Sequence, residues 1–85
     1  MRLEQTGEFG KDVKRLDKQT KEQLKKSIQK ILANPLKGKP LRHLENVFSE
    51  RIGNRRLVYK AGGGAVLFIC FKSRDEVYDY LRMAC

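Results

Sequence analysis

Eighty-five residues suffice for one modest hydrophobic core and leave no room for a second, ligand-binding domain, so residues 1–85 are expected to fold as one unit. Nineteen Lys and Arg against ten Asp and Glu give a net charge of +9, which draws polyanions from a distance and makes nucleic acid the first partner to consider; a basic surface that merely keeps the domain dispersed is the alternative. Two cysteines, Cys70 and Cys85, make no disulfide framework. No Cys/His spacing suggests a metal, and the apolar run Ala65 to Phe71 is far too short to span a membrane, so a cytoplasmic protein without metal or small-molecule cofactor is expected.

In chain order, residues 1 to 6 read as a short leading strand. From Glu8 to Leu16, Phe9, Val13 and Leu16 recur at helical spacing, and after the polar break "DKQT" the set Leu24, Ile28, Ile31 and Leu32 repeats it. The second helix ends at "ANP", because the residue before a proline is pushed out of helical geometry and Pro35 has no amide hydrogen to donate. The lysines on the outer faces of both helices, among them Lys11, Lys14, Lys18 and Lys25, alternate with acids and read as a solvated stripe. "LKGKPL" is then a basic loop leading to the lone His43, which lacks the Cys, Ser or carboxylate spacing of a triad and reads as a surface residue or RNA contact.

Gly53-Asn54 is a dipeptide favoured in two-residue hairpin turns, and Gly62 to Gly64 mark a second, looser turn. Antiparallel strands are predicted over about 46–52, 55–61 and 65–72. Closing the first hairpin on Gly53-Asn54 sets Ile52 opposite Arg55, Arg51 opposite Arg56, Glu50 opposite Leu57 and Ser49 opposite Val58. Centring the second on Gly63 sets Leu57 opposite Ile69 and Arg56 opposite Cys70, with Lys72 diagonal to Arg56.

Side chains alternate between faces, so one face collects Phe48, Ile52, Leu57, Tyr59, Leu67, Ile69 and Phe71 as the floor for the two helices, with Glu50 and Arg55 forming an ion pair at its edge. The other face collects Ser49, Arg51, Arg56, Val58, Phe68, Cys70 and Lys72. Like charges opposed on a sheet destabilise it by up to about 1 kcal/mol, so an anion between them is the reason to keep them. Arg51 and Arg56 suit a bidentate grip on one phosphate, with Lys72 as a point charge; the alternative is that the arginines splay apart onto Glu45, Glu50 or a helix carboxylate.

"SRDEVYDYLRMAC" opens with Ser73 and Glu76 at capping-box spacing and continues as a terminal helix with Val77, Leu81 and Ala84 on its apolar stripe. Arg74 and Tyr78, one turn apart, overlook the cationic face; alternatively Tyr78 and Tyr80 only pack the helix. The elements sum to an α+β fold, β-α-α-β-β-β-α, with an antiparallel sheet core, two N-terminal helices on one face and a C-terminal helix.

With "KDVKRLDK", "ILANPLKGKPL", "FSERIGNRRLVY" and "RDEVY" in this order, nearly the whole chain resembles the RelE/ParE superfamily of toxins, in particular its RelE-like messenger-RNA interferases. The resemblance implies the same layout, ribosome-dependent cleavage of messenger RNA, and neutralisation by a cognate RelB-like antitoxin. It also implies site residues: Arg51, Arg56 and Arg74 at the phosphate and Tyr78 on the last helix, read as the base for the 2′-hydroxyl; Lys72, from the strand register, is a candidate to assist the leaving oxygen, and Lys37, Lys39, Arg42, His43 and Ser49 are expected along the RNA. The chemistry expected is metal-independent attack by the RNA 2′-hydroxyl. Two departures stand out: the paired lysines of some relatives fall near Val47 and Ser49, and the histidine often found before the last arginine is Ser73. They keep open a ParE-like gyrase inhibitor without nuclease activity, and a degenerate member that only binds antitoxin or RNA.

Overall fold

A computed structural model describes residues 2–36, 38–41 and 44–84, excluding the side chain of Ala84. The chain runs β1 (Arg2–Gln5), α1 (Gly7–Lys14), α2 (Lys18–Ala33), β2 (Lys39–Pro40), β3 (Val47–Ile52), β4 (Arg55–Gly62), β5 (Ala65–Ser73) and α3 (Arg74–Ala84). The strands form one sheet in the order β1-β5-β4-β3-β2. It is mixed: β1 runs parallel to β5, while the other pairings are antiparallel. β2, a two-residue strand where the sequence reads as loop, pairs with the outer edge of β3.

Helices α1 and α2 each start where a side chain satisfies a free amide. The Thr6 hydroxyl accepts from the Phe9 amide at 3.1 Å and donates to the Ile69 carbonyl at 2.6 Å, so a single residue caps α1 and ties it to β5. Asp17 caps α2 through the Thr20 amide at 2.9 Å. The α2 C-cap falls on Asn34, the residue before Pro35, as expected.

The first hairpin has the expected register, Arg51 opposite Arg56 and Ile52 opposite Arg55. Gly53 supplies the positive φ, 62°, that a tight hairpin turn needs at its first central position. The second hairpin corrects the sequence reading. Gly63 and Gly64 both have positive φ and close a two-residue turn, with Gly62 opposite Ala65. Between Val58, opposite Cys70, and Tyr59, opposite Phe68, the register shifts and Ile69 is left over as a β-bulge. Past the bulge Leu57 faces Phe71 and Arg56 faces Lys72 directly, in place of Ile69 and Cys70. One extra residue also inverts the faces on the turn side. Phe68 therefore joins the helix-facing core, and Ile69 packs on the opposite side.

Both faces are covered. Phe9, Leu16, Leu24 and Ile31 pack on Phe48, Ile52, Leu57, Tyr59, Val66, Phe68 and Phe71, with the rings of Phe9 and Phe68 stacked at 5.5 Å. On the reverse, Val77 of α3 seals Val47, Val58 and Cys70, with Tyr80 and Leu81 alongside. The fully buried Leu57, Val58, Val66 and Phe71 each contribute about 1.5–3 kcal/mol relative to exposure. Burial, reinforced by Asp12, pushes the Cys70 thiol up to about 12, so it stays protonated and unreactive.

The edge of β5 beyond β1 is finished by α1. Asp12, buried, accepts from the Phe71 amide at 2.9 Å. Its other oxygen accepts from the Lys72 ammonium at 2.8 Å, and Glu8, one turn earlier, accepts from the same ammonium at 2.6 Å. The Tyr80 ring covers that ammonium at 5.5 Å, so α1, β5 and α3 meet at one lysine.

The hydrogen bond from Lys72, aided by its charge, holds the Glu8 carboxyl below its usual 4.5. Burial pulls Lys72 down, but the hydrogen bonds it donates to Asp12 and Glu8, with their charges, outweigh it and leave the ammonium above its usual 10.5. The signs are opposite. Glu8's contribution is complete above pH 4.5 and is lost as pH falls through its lowered value. That of Lys72 is complete below pH 10.5 and is lost as pH rises through its raised value. Thermal melts across pH are expected to show a plateau with both shoulders, and Lys72→Met is expected to shrink both, leaving on the acid side the part that Asp17 and Glu76 supply; shoulders of unchanged size in the variant would contradict this.

Candidate functional site

At the β3–β4 hairpin end of the sheet, where α3 begins, a cleft of about 190 Å³ is lined by Arg51, Asn54, Arg55, Arg56 and Arg74. Three of these five are the arginines singled out from sequence. Arg51 and Arg56 reach it because the Gly53-Asn54 turn sets them opposite one another. Arg74 reaches it because α3 starts directly after β5, so its first residue stands beside the hairpin end. At this N-terminus the Ser73 hydroxyl donates to the Glu76 carboxylate at 2.7 Å, which lowers that carboxyl below its usual value.

Among the described residues, none of the four arginines lies within ion-pair distance of a carboxylate; the ion pairs join Arg2 to Glu4 and Lys72 to Glu8 and Asp12. The splayed alternative for Arg51 and Arg56 is thus not adopted, and the expected Glu50–Arg55 ion pair is not formed. Arg51 makes only a 3.4 Å contact from Nε to the Gly53 carbonyl. Four guanidiniums around one small volume, none of them in ion-pair contact with a carboxylate among the described residues, are suited to attract anionic groups with accessible oxygens.

Two assignments from sequence are corrected. Lys72 does stand opposite Arg56, but its ammonium is bound by Glu8 and Asp12, which offset its charge and hold it on the α1 side. Ser49 is 4% exposed, with Lys39 of β2 on one side and Val58 on the other, so it is closed to an RNA strand. Lys39 itself is exposed. Lys37, Arg42 and His43 lie outside the described residues.

Tyr78 is 47% exposed, and the Arg74 guanidinium lies 6.0 Å from its ring centroid. It adjoins the cleft through Arg74 and does not line it. Tyr80 takes the packing role. Arg55, which strand alternation assigns to the helix side, is the residue sequence reasoning missed: the cleft lies across the end of the sheet and draws from both faces.

A larger cleft, about 570 Å³, lies between α2 and β3 near Gly38. Its charged side chains, Lys30 and Glu50, are of opposite sign, so it has no comparable pull on an anion. The Tyr59 hydroxyl at its base is buried without a hydrogen-bond partner among the described residues. Burial raises that phenol above its usual value, with the nearby Gly38 backbone opposing the shift and Glu50 adding to it.

Residues 3–78 match the sequence model of the ParE toxin of type II toxin-antitoxin systems, parDE. In three dimensions the chain is similar to the isolated E. coli RelE toxin, with TM-score 0.77 and 24% identity over 98% of this chain and 96% of that one. It is similar to a chain of the RelB-RelE antitoxin-toxin complex from Methanococcus jannaschii, with TM-score 0.73 and 23% identity over 91% and 96%. A chain of the toxin-antitoxin complex RelBE2 from Mycobacterium tuberculosis gives TM-score 0.72 and 26% identity over 86% and 96%. No curated protein matches the chain in sequence.

Proposed function

The chain belongs to the ParE toxin family of type II toxin-antitoxin systems, within the RelE/ParE superfamily, and from its arginine cleft and its likeness in fold to the RelE toxin we propose that it is a ribosome-dependent endoribonuclease acting on messenger RNA. The observation that supports this is the cleft of Arg51, Arg56 and Arg74, which among the described residues have no carboxylate in ion-pair contact. In the proposed reaction the ribose 2′-oxygen attacks the adjacent phosphorus and the 5′-oxygen leaves, giving a 2′,3′-cyclic phosphate and a 5′-hydroxyl. The phosphorus centre gains negative charge on the way. Fixed guanidiniums stabilise it where it develops, without reorganising.

Tyr78, beside Arg74, is assigned the proton of the 2′-hydroxyl. Lys72, bound by two carboxylates, is withdrawn from protonating the leaving oxygen, which a hydrogen bond from Arg51, Arg56 or Arg74 would steady while it takes its proton from water. The lysine-rich helices and Lys39 would rest on ribosomal RNA phosphates, with the decoding site positioning the message. The partner is an antitoxin with acidic groups facing this basic surface. It would add a strand at an open sheet edge, where the four residues of β1 are all exposed, or lay a helix on the surface.

The ParE family match favours a second reading, a gyrase inhibitor that binds without cutting. Translation of a defined message on purified ribosomes, with 5′ ends mapped, separates the two. Wild type is expected to cut at ribosome-dependent positions, with the cuts lost in Arg74→Ala and weakened in Tyr78→Phe. Intact message together with inhibited gyrase supports the second reading.

A further inference from the structure

Arg55 is the cleft residue for which the proposed reaction has no use. It sits in β4 next to Arg56, yet its side chain departs from the helix-facing side of the strand and enters the same cleft at the end of the sheet. The Phe71 ring lies under its guanidinium, 5.8 Å from centroid to Cζ, which fixes its place. Two carboxylates, Asp17 and Glu76, are near enough for its charge to lower them, but neither makes an ion pair with it. Both are engaged elsewhere, Asp17 with the Thr20 amide and Glu76 with the Ser73 hydroxyl. Arg55 therefore presents its charge to the cleft.

One phosphodiester carries a single negative charge and two free oxygens. Arg51, Arg56 and Arg74 suffice to occupy both, and a fourth guanidinium would add repulsion with no acceptor left for it. The imbalance disappears if the cleft serves two anionic groups. We infer that Arg55, with the Asn54 amide beside it, is a second phosphate subsite, which holds the phosphodiester adjoining the one gripped by Arg51, Arg56 and Arg74 on the same single RNA strand. This rests on reading the cleft as an RNA phosphate site. Gripping two consecutive phosphates would fix the direction and register of the strand, which one phosphate contact cannot do.

The test uses the full chain, isotope-labelled for NMR, and two fully 2′-O-methylated RNA probes that cannot be cut. One is a dinucleotide with one internal phosphodiester and the other a trinucleotide with two, neither with terminal phosphates. Wild type is expected to bind the trinucleotide about tenfold more tightly, the worth of one charge-assisted contact. In Arg55→Gln the preference is expected to fall to the roughly twofold statistical advantage, with dinucleotide affinity little changed; in Arg55→Lys part of it is expected to survive. A preference unchanged in Arg55→Gln, an equal loss for both probes, or no preference in wild type overturns the subsite. Should Arg55→Gln fail to fold, as judged from its amide spectrum, Arg55→Lys decides, since replacing the fork by a point charge must reduce the preference. The 5′-end mapping reports separately on cleavage. A preference without cleavage retains the subsite and removes the nuclease, while cleavage without a preference does the reverse.

Discussion

Arg56→Ala is expected to lower ribosome-dependent cleavage by about 10²–10³-fold, the scale on which one fixed charge-stabilising donor contributes to a transition state. Arg56 is the central cation: it stands opposite Arg51 across the first hairpin and opposite Lys72 across the second. Its removal should leave the fold standing, because among the described residues it makes no ion pair with a carboxylate. It should even gain up to about 1 kcal/mol as the opposition to Arg51 disappears. The signature is therefore a fall in rate at equal or higher melting temperature. Arg56→Lys tests the geometry: a point charge preserves attraction but loses the bidentate fork, so binding should survive better than turnover. Cleavage at wild-type rate in Arg56→Ala would remove this residue from the reaction.

Lys72→Ala is expected to do the opposite, acting through the fold. Lys72 has a side chain only 12% exposed and binds Asp12, whose side chain is 6% exposed, and Glu8. Deleting the ammonium leaves a buried carboxylate unpaired at the joint between α1, β5 and α3, at a cost of about 3–5 kcal/mol. The whole stability of a domain is typically only about 5–15 kcal/mol, so the melting temperature should fall by tens of degrees. Thermal denaturation read by circular dichroism measures this. A variant that melts within a degree or two of wild type would show that the three charges do not hold the joint together.

The contrast between these two cations marks where sequence carries the fold and where it does not. Register in the first hairpin was legible because Gly-Asn fixes both turn and pairing, and with it Arg51 and Arg56 on one face. Beyond Val58 the same reasoning failed. The turn closes on Gly63-Gly64 instead of centring on Gly63, and the bulge at Ile69 has no glycine or proline to announce it; each moved the pairing by one residue, together bringing Lys72 opposite Arg56, and the bulge exchanged the faces of Phe68 and Ile69. Strand β2 was equally hidden, since two residues, one of them proline, carry no alternation.

At the site, the three arginines were legible from spacing and resemblance, whereas the environment of Lys72 was not. Its partners lie 60 and 64 residues away in sequence, and the available signal was Glu8 and Asp12 at i, i+4 on the flank of an otherwise apolar helix face. Arg55 was assigned to the wrong neighbour because alternation describes a strand's middle. At the end of a sheet, long side chains from both faces converge.

The central claim is that the arginine cleft receives an RNA phosphate, and the most direct measurement follows the arginine Nε–Hε resonances during titration with uncleavable single-stranded RNA. Resonances of Arg51, Arg56 and Arg74 are expected to shift together, saturably, and to return when salt displaces the strand. Shifts confined to arginines outside the cleft, such as Arg15, with the cleft resonances unmoved, would contradict it.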